Sequence, residues 1–170
     1  MTLSSEHKIE LENGLLAEIN QQQNKVKLQI TQQDMLSLQD IISQVENAVE
    51  VQNGQLSAQV ELTLPSEGKQ FSAQGTAELQ DVSAKYHDYQ LNKLAYRTPV
   101  KFDSAGLQLA ESMLRVESID VGVTIKQVEA MVIVKNTVPQ LHQIKGKVFN
   151  GQFLVTDLWL DSREQHVNIN

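Results

Sequence analysis

The four histidines are the side chains best suited to catalysis or metal binding, and they lie in separate segments. His7, His87, His142 and His166 form neither an H-x-x-x-H nor an H-E-x-x-H pair, so the spacing of a metal-ligating pair is missing. The densest local cluster is Tyr86-His87-Asp88-Tyr89. Adjacent residues of a strand point to opposite faces, so the histidine and the aspartate would not converge there. We expect a polar turn at this position.

Other catalytic signatures are equally weak. Glu10 and Glu12 would share a strand face, as paired catalytic carboxylates do, but nothing around them indicates burial and a solvated face is expected. The sequence has no G-x-S-x-G, P-loop or G-x-G-x-x-G motif. It also has no cysteine, which excludes disulfides, thiolate catalysis and cysteine-ligated zinc. The sequence therefore predicts a protein that is not an enzyme and that holds no metal or cofactor.

Composition narrows the possible partners. The chain has 170 residues, of which 41% are hydrophobic and 21% charged, as in an ordinary globular domain. Its net charge of −7 argues against nucleic acid and against polybasic docking on anionic lipid. No stretch approaches the ~20 apolar residues of a membrane-spanning helix, and the first residues do not resemble a signal peptide. Any contact with a membrane is expected through segments absent from this chain.

Two stretches in which apolar and polar residues alternate predict the strands that would position any site. Apolar residues occupy the even positions of 55–64 and the odd positions of 71–80, and a turn at 65–69 separates the two runs. Side chains alternate between the faces of a strand, so this pattern predicts a long hairpin with one apolar and one polar face. The candidate binding residues on the apolar side are Leu56, Val60, Leu62, Leu64, Phe71, Ala73, Ala77 and Leu79.

Alternation returns in the second half of the chain. Ile119, Val121, Val123 and Ile125 are predicted to lie on one face of a single strand, and Val128, Val132 and Val134 on one face of the next. All seven join the candidate binding residues. The segment 89–102 also alternates, but Pro99 within it predicts an edge strand or the end of a strand.

One helix interrupts the strands. Leu38, Ile41, Ile42, Val45, Ala48 and Val49 recur at three- and four-residue spacing, which predicts an amphipathic helix at about 37–49. A cap at Ser37 with Asp40 would begin it, and Asn53-Gly54 would end it. Its apolar stripe needs a partner, and the sheet is the only candidate.

The predicted fold is mainly β, with a long, mostly antiparallel sheet and one amphipathic helix in a single segment, 1–170. The apolar face would pack in a closed sandwich or barrel, or it would stay open to a ligand. Glycines recur in or before strands at irregular intervals, which fits turns and bulges or serial strand–turn units stacked along one axis. The chain ends while still alternating, so we expect it to be part of a longer polypeptide.

Several motifs together resemble one family. They are the run Gly75–Ser83 with Tyr86, the run Ile119–Ile125, the segment Gly146–Gly151 before a long strand, and the junction between the helix and Asn53-Gly54. In order and spacing they resemble the YdbH family, which belongs with TamB to the AsmA-like proteins of Gram-negative bacteria. The resemblance covers the chain from about Leu38 onward.

This resemblance implies a periplasmic protein, anchored in the inner membrane, whose curved sheet has an apolar concave face. Phospholipids would pass along this groove between the inner and outer membranes, so the implied partners are phospholipid acyl chains. An alternative is a non-catalytic scaffold or chaperone-like module in outer-membrane biogenesis, with envelope proteins as partners at the sheet edge. Dicarboxylate transport is disfavoured, because a small dianion needs convergent cationic or N–H groups that this acidic chain offers sparsely.

Overall fold

The chain folds into one antiparallel sheet whose strands follow each other in chain order. The computed structural model describes residues 5–10, 16–22, 24–65, 70–135, 137–159 and 167–169. In these residues the strands are β1 (Ser5–Glu10), β2 (Leu16–Gln22), β3 (Lys25–Asp34), β4 (Val49–Thr63), β5 (Ser72–Tyr86), β6 (Tyr89–Asp103), β7 (Gly106–Asp120), β8 (Thr124–Lys135), β9 (Val138–Val148), β10 (Gly151–Trp159) and β11 (Val167–Ile169). Each strand pairs with its sequence neighbours, in the order β1 to β11. This confirms the predicted fold class.

The sheet is open, so the closed sandwich or barrel is wrong. No pairing joins β1 to β11 in the part of the chain that the structure describes. The accessible surface is 11763 Å², whereas a compact protein of 19.1 kDa would expose about 8,400 Å². A single layer of strands explains the excess, because a sheet without a covering layer leaves both faces in contact with solvent.

The long hairpin predicted from alternation is confirmed. In β4 and β5, Leu56 pairs with Leu79 and Leu62 pairs with Ala73. Paired residues of antiparallel strands point to the same face, so the two apolar runs merge into one surface. Residues 66–69 of the predicted turn lie outside the described residues.

The prediction of one strand through Ile119–Ile125 is wrong. The structure divides this run into the end of β7 and the start of β8, and Ile119 pairs with Ile125. Gly122 has a φ of +89°, a backbone conformation that glycine adopts readily and other residues rarely adopt. The carboxylate of Asp120 accepts the N–H of Gly122 at 3.1 Å, which closes the turn. Val121 and Val123 therefore lie in the turn and not on a strand face.

The prediction that Pro99 marks an edge strand or a strand end is also wrong. Pro99 lies in the middle of β6, between β5 and β7. Proline has no backbone N–H to donate to a neighbouring strand. A register shift between the pairs that Tyr96 and Val100 make with β7 already interrupts the hydrogen bonds between β6 and β7 at this point. The hydroxyl of Thr98 donates instead to the carbonyl of Ala110, at 3.0 Å.

The helical segment is shorter than predicted and begins earlier, and the predicted cap at Ser37 is wrong because the Asp34 side chain caps the first turn. It comprises a 3-10 helix (Met35–Leu38) and α1 (Gln39–Val45), and Asn53-Gly54 does not end it but lies inside β4. The side-chain amide of Gln39 donates to the carbonyl of Val49 at 2.8 Å and accepts the N–H of Val51 at 2.7 Å. Gln39 thus hydrogen-bonds the edge of β4 as a strand would, and the chain becomes extended from residue 49. Leu38 is buried, but Ile41 is 50% exposed, so only part of the apolar stripe packs.

Candidate functional site

Most apolar residues of β4 to β9 share one surface, which we call the apolar face. Cross-strand pairs define it, because paired residues point to the same side. Eleven of the fifteen predicted binding residues lie on it: Leu56, Val60, Leu62, Ala73, Ala77, Leu79, Ile119, Ile125, Val128, Val132 and Val134. Leu64 and Phe71 flank the hairpin between β4 and β5, and the ring of Phe71 meets that of Phe102 edge-on at 6.1 Å. Val121 and Val123 are in the turn after β7.

A line of β-bulges crosses this sheet. Asp81, Lys93 and Gln127 are left-handed, with φ of 50, 49 and 52°, and Gly54 has φ +135. Register shifts accompany the bulges in β4, β5 and β8. A bulge adds one residue to a strand and bends it, so bulges in neighbouring strands bend the sheet along a common line.

Beside the bulges lies a row of four paired aliphatic residues, which we call the central row. Val82 pairs with Leu94, Leu94 with Val116 and Val116 with Val128. The three valines are 7, 3 and 7% exposed, in that order. No second layer covers them in the described part of the sheet, so their burial comes from neighbouring side chains of the same face. Crowding of this kind is expected on the inner side of a bend.

The opposite surface, the polar face, carries the charges. Glu129 lies between two cations there, at 3.5 Å from Arg115 and 2.8 Å from Lys145. The hydrogen bond from Lys145 lowers the pKa of the Glu129 carboxyl below its ordinary 4.5, and the nearby positive charges act in the same direction. In contrast, the cross-strand pairs of the apolar face from β4 to β9 include no charged side chain.

The apolar face contains a small hydroxyl cluster that the sequence analysis did not identify. Tyr96, Thr98 and Ser112 pair with Leu79, Ala77 and Val132 respectively, which places all three on this face. The hydroxyl of Tyr96 is buried and has no hydrogen-bond partner among the described residues. An unpaired buried hydroxyl costs about 1–3 kcal/mol. The signal in the sequence is a polar residue at a position where the alternation requires an apolar one.

Among the described residues, the groups considered for catalysis do not form a centre, and Glu12 and His166 lie outside those residues. His87 and Asp88 are exposed in the turn between β5 and β6, as expected of a polar turn. His142 hydrogen-bonds Asp157 between β9 and β10. That pair has no nucleophilic partner in the hydrogen bonds of the described residues, where no group of three or more possible metal ligands occurs either.

Comparison with known proteins gives one match. The family model described as YdbH-like, intermembrane phospholipid transport protein YdbH, matches residues 2–170. No curated protein and no solved structure matches the chain. Among the described residues, none of the helices has the length and apolar character needed to cross a bilayer.

Proposed function

Because the chain belongs to the YdbH-like family of intermembrane phospholipid transport proteins, we propose that its apolar face holds the acyl chains of phospholipids. The protein would then be one section of a periplasmic bridge along which lipids pass between the inner and outer membranes. In this role the apolar face is the inner wall of a groove and the polar face meets water. The proposed bridge is anchored in the inner membrane.

The observation that carries this proposal is the burial of the central row, which no second layer covers in the described part of the chain. Val116 is 3% exposed although the described strands form a single sheet. A bend with the apolar face inside accounts for this burial and forms a concave surface. The bulges beside Val82, Leu94 and Val128 supply the bend.

The energetics favour a mobile hydrocarbon ligand. Soluble proteins rarely expose contiguous apolar patches larger than about a few hundred Å², so a whole uncovered apolar face indicates a ligand or partner. Each methylene that leaves water contributes about 0.8 kcal/mol, and this attraction has no preferred direction. An acyl chain would therefore be held over many small contacts and could still slide along the face.

The side chains also select against a charged small molecule. The paired positions of the apolar face from β4 to β9 contain no charged residue that could neutralise a dianion. Aliphatic side chains match acyl chains instead. Such a role needs no catalytic group, metal or cofactor.

Two adjacent residues of β8 provide a matched test. Val132 lies on the apolar face, where it pairs with Ser112 and Leu141. Ile133 is also half-buried but points to the polar face. A photo-crosslinking amino acid would be placed at position 132 or 133 of the chain produced in a Gram-negative bacterium. Mass spectrometry would identify the products.

We expect phospholipid adducts at position 132 and several-fold fewer at 133. Val132→Thr, which keeps the side-chain shape, should reduce the phospholipid that copurifies with the protein, whereas Ile133→Thr should leave it unchanged. Equal labelling at the two positions would overturn the proposal. Crosslinks to envelope proteins alone, with no lipid, would favour the scaffold role.

A further inference from the structure

The hydroxyl cluster interrupts a surface that is otherwise hydrocarbon. Tyr96 and Thr98 lie two residues apart on β6, and Ser112 lies on the neighbouring β7. Apart from the tyrosines at the end of the hairpin between β5 and β6, these are the hydroxyl side chains among the cross-strand pairs of the apolar face from β4 to β9. Each replaces an aliphatic group that would have bound an acyl chain better.

Two of the three hydroxyls have a role within the sheet. The hydroxyl of Thr98 lies 3.0 Å from the carbonyl oxygen of Ala110 and 3.2 Å from the hydroxyl of Ser112. Ser112 also lies 3.0 Å from the Ala110 carbonyl. Both side chains therefore hydrogen-bond the backbone where the pairing between β6 and β7 shifts register.

Tyr96 has no such role. Tyr96 pairs with Leu79 on one side and with Leu114 on the other. It lies two residues along β6 from Leu94 of the central row. Its hydroxyl is hidden from water and pairs with no described residue. A phenylalanine would fill the same space without an unsatisfied polar atom, so packing alone does not account for a tyrosine at this position.

We propose that the Tyr96 hydroxyl donates a hydrogen bond to an ester carbonyl oxygen of a glycerolipid held on the apolar face. This inference rests on the proposed function and specifies which part of the lipid the face recognises. An ester carbonyl is an uncharged acceptor attached directly to an acyl chain. A phosphate would lose its hydration beside a surface whose paired positions carry no cation, so the carbonyl is the acceptor that this environment admits. No second layer of the described residues lies over this face, so only side chains of the sheet itself would have to move to admit the lipid.

The test compares two phosphatidylcholines with the same chain length, one ester-linked and one ether-linked. The ether lipid keeps the headgroup and hydrocarbon but lacks the carbonyl oxygens. Binding of each lipid would be measured by titration of the purified chain, of Tyr96→Phe and of Thr76→Val. Thr76 lies on the polar face of β5, where it pairs with Gln59 and Pro99, so the loss of its hydroxyl is the control.

The wild-type chain should bind the ester lipid about fivefold more tightly than the ether lipid, the factor that one net hydrogen bond provides. Tyr96→Phe should bind the two lipids equally, and Thr76→Val should keep the wild-type ratio. In the absence of lipid, Tyr96→Phe should be at least as stable towards urea as the wild type, because it removes an unpaired hydroxyl.

Three results would overturn the inference. If the wild-type chain binds both lipids equally, or if Tyr96→Phe keeps the ester preference, Tyr96 does not recognise the carbonyl, and the proposed function still stands. If no variant binds either lipid, the proposed function fails together with this inference.

Discussion

Gly54 is the residue whose replacement most directly tests the origin of the bend. It lies in β4 with φ +135, and a Cβ atom built on it would be 2.7 Å from both the Cα and a methyl group of Val82. Carbon atoms normally touch at about 3.5–4.0 Å. The absence of a side chain at position 54 therefore allows β4 to approach the first residue of the central row.

Gly54→Ala should lower the free energy of unfolding by about 2–6 kcal/mol. The strained backbone conformation accounts for about 1–3 kcal/mol of this loss. The overlap with Val82 accounts for about 1–3 kcal/mol more, because one of the two atoms belongs to the backbone and cannot rotate away. At a urea dependence of about 2 kcal/mol per molar, the unfolding midpoint should fall by about 2 M.

Gly122→Ala is the matched control. Gly122 also has positive φ, at +89, but its Cβ atom would meet nothing within 4 Å. Its replacement should cost about 1–2 kcal/mol, from the backbone alone. Urea titrations followed by circular dichroism would give both values. Equal losses for the two variants would refute the argument, because they would show that the contact with Val82 does not limit the structure.

Three further variants test other features of the sheet. Gln39→Ala should lower the free energy of unfolding by about 1–3 kcal/mol in urea titrations, since it leaves two backbone groups of β4 without partners; an unchanged midpoint would show that water replaces the amide. Thr98→Val should lower the free energy of unfolding by about 0.5–1.5 kcal/mol in the same assay, because one of the two hydroxyls bonded to the Ala110 carbonyl is lost, and a Thr98→Ser variant that behaves in the same way would contradict this reason. Glu129→Gln should remove a pH-dependent contribution: the hydrogen bond from Lys145 lowers the folded-state pKa below 4.5, so the wild type is stabilised above the unfolded-state pKa and loses this advantage as the pH falls through the folded-state value. Thermal unfolding from neutral to acidic pH should show the two proteins converging at low pH, and parallel curves would be the contrary result.

The sequence predicts the fold class and most of the apolar face, because apolar residues recur every second position and every second side chain of a strand points to the same face. Leu56 to Leu64 and Phe71 to Leu79 alternate without error, and the structure pairs most of these residues on one surface. Four of the fifteen predicted residues lie outside the paired strands, at turns and hairpin ends. Alternation alone did not locate these boundaries, since Val121 and Val123 continue the pattern through a turn that depends on Asp120 and Gly122.

The bulges at Asp81, Lys93 and Gln127 were not predicted, because these left-handed residues are not glycines. Nothing in the residue types Asp, Lys and Gln indicates that residues 81, 93 and 127 have positive φ. A different signal is present, since the apolar positions change from odd to even where a bulge adds a residue, as between Leu79 and Val82. The two residues remain on one face despite their spacing, because their partners Tyr96 and Leu94 are two apart on β6. The helix was predicted too long because its apolar spacing continues into β4, where hydrogen bonds from Gln39 stabilise an extended chain instead.

The strand order has a consequence for how such a molecule can vary in size. Each strand pairs with its immediate predecessor and successor, so no long-range crossover fixes the total number of strands. An inserted hairpin would extend the assembly by about 9–10 Å perpendicular to the strands. The insertion would leave the dimension of the sheet along its strands unchanged, because strand length and bulge position set that dimension. The two dimensions of the sheet are thus encoded separately, and duplication of hairpins can change one while the other is conserved.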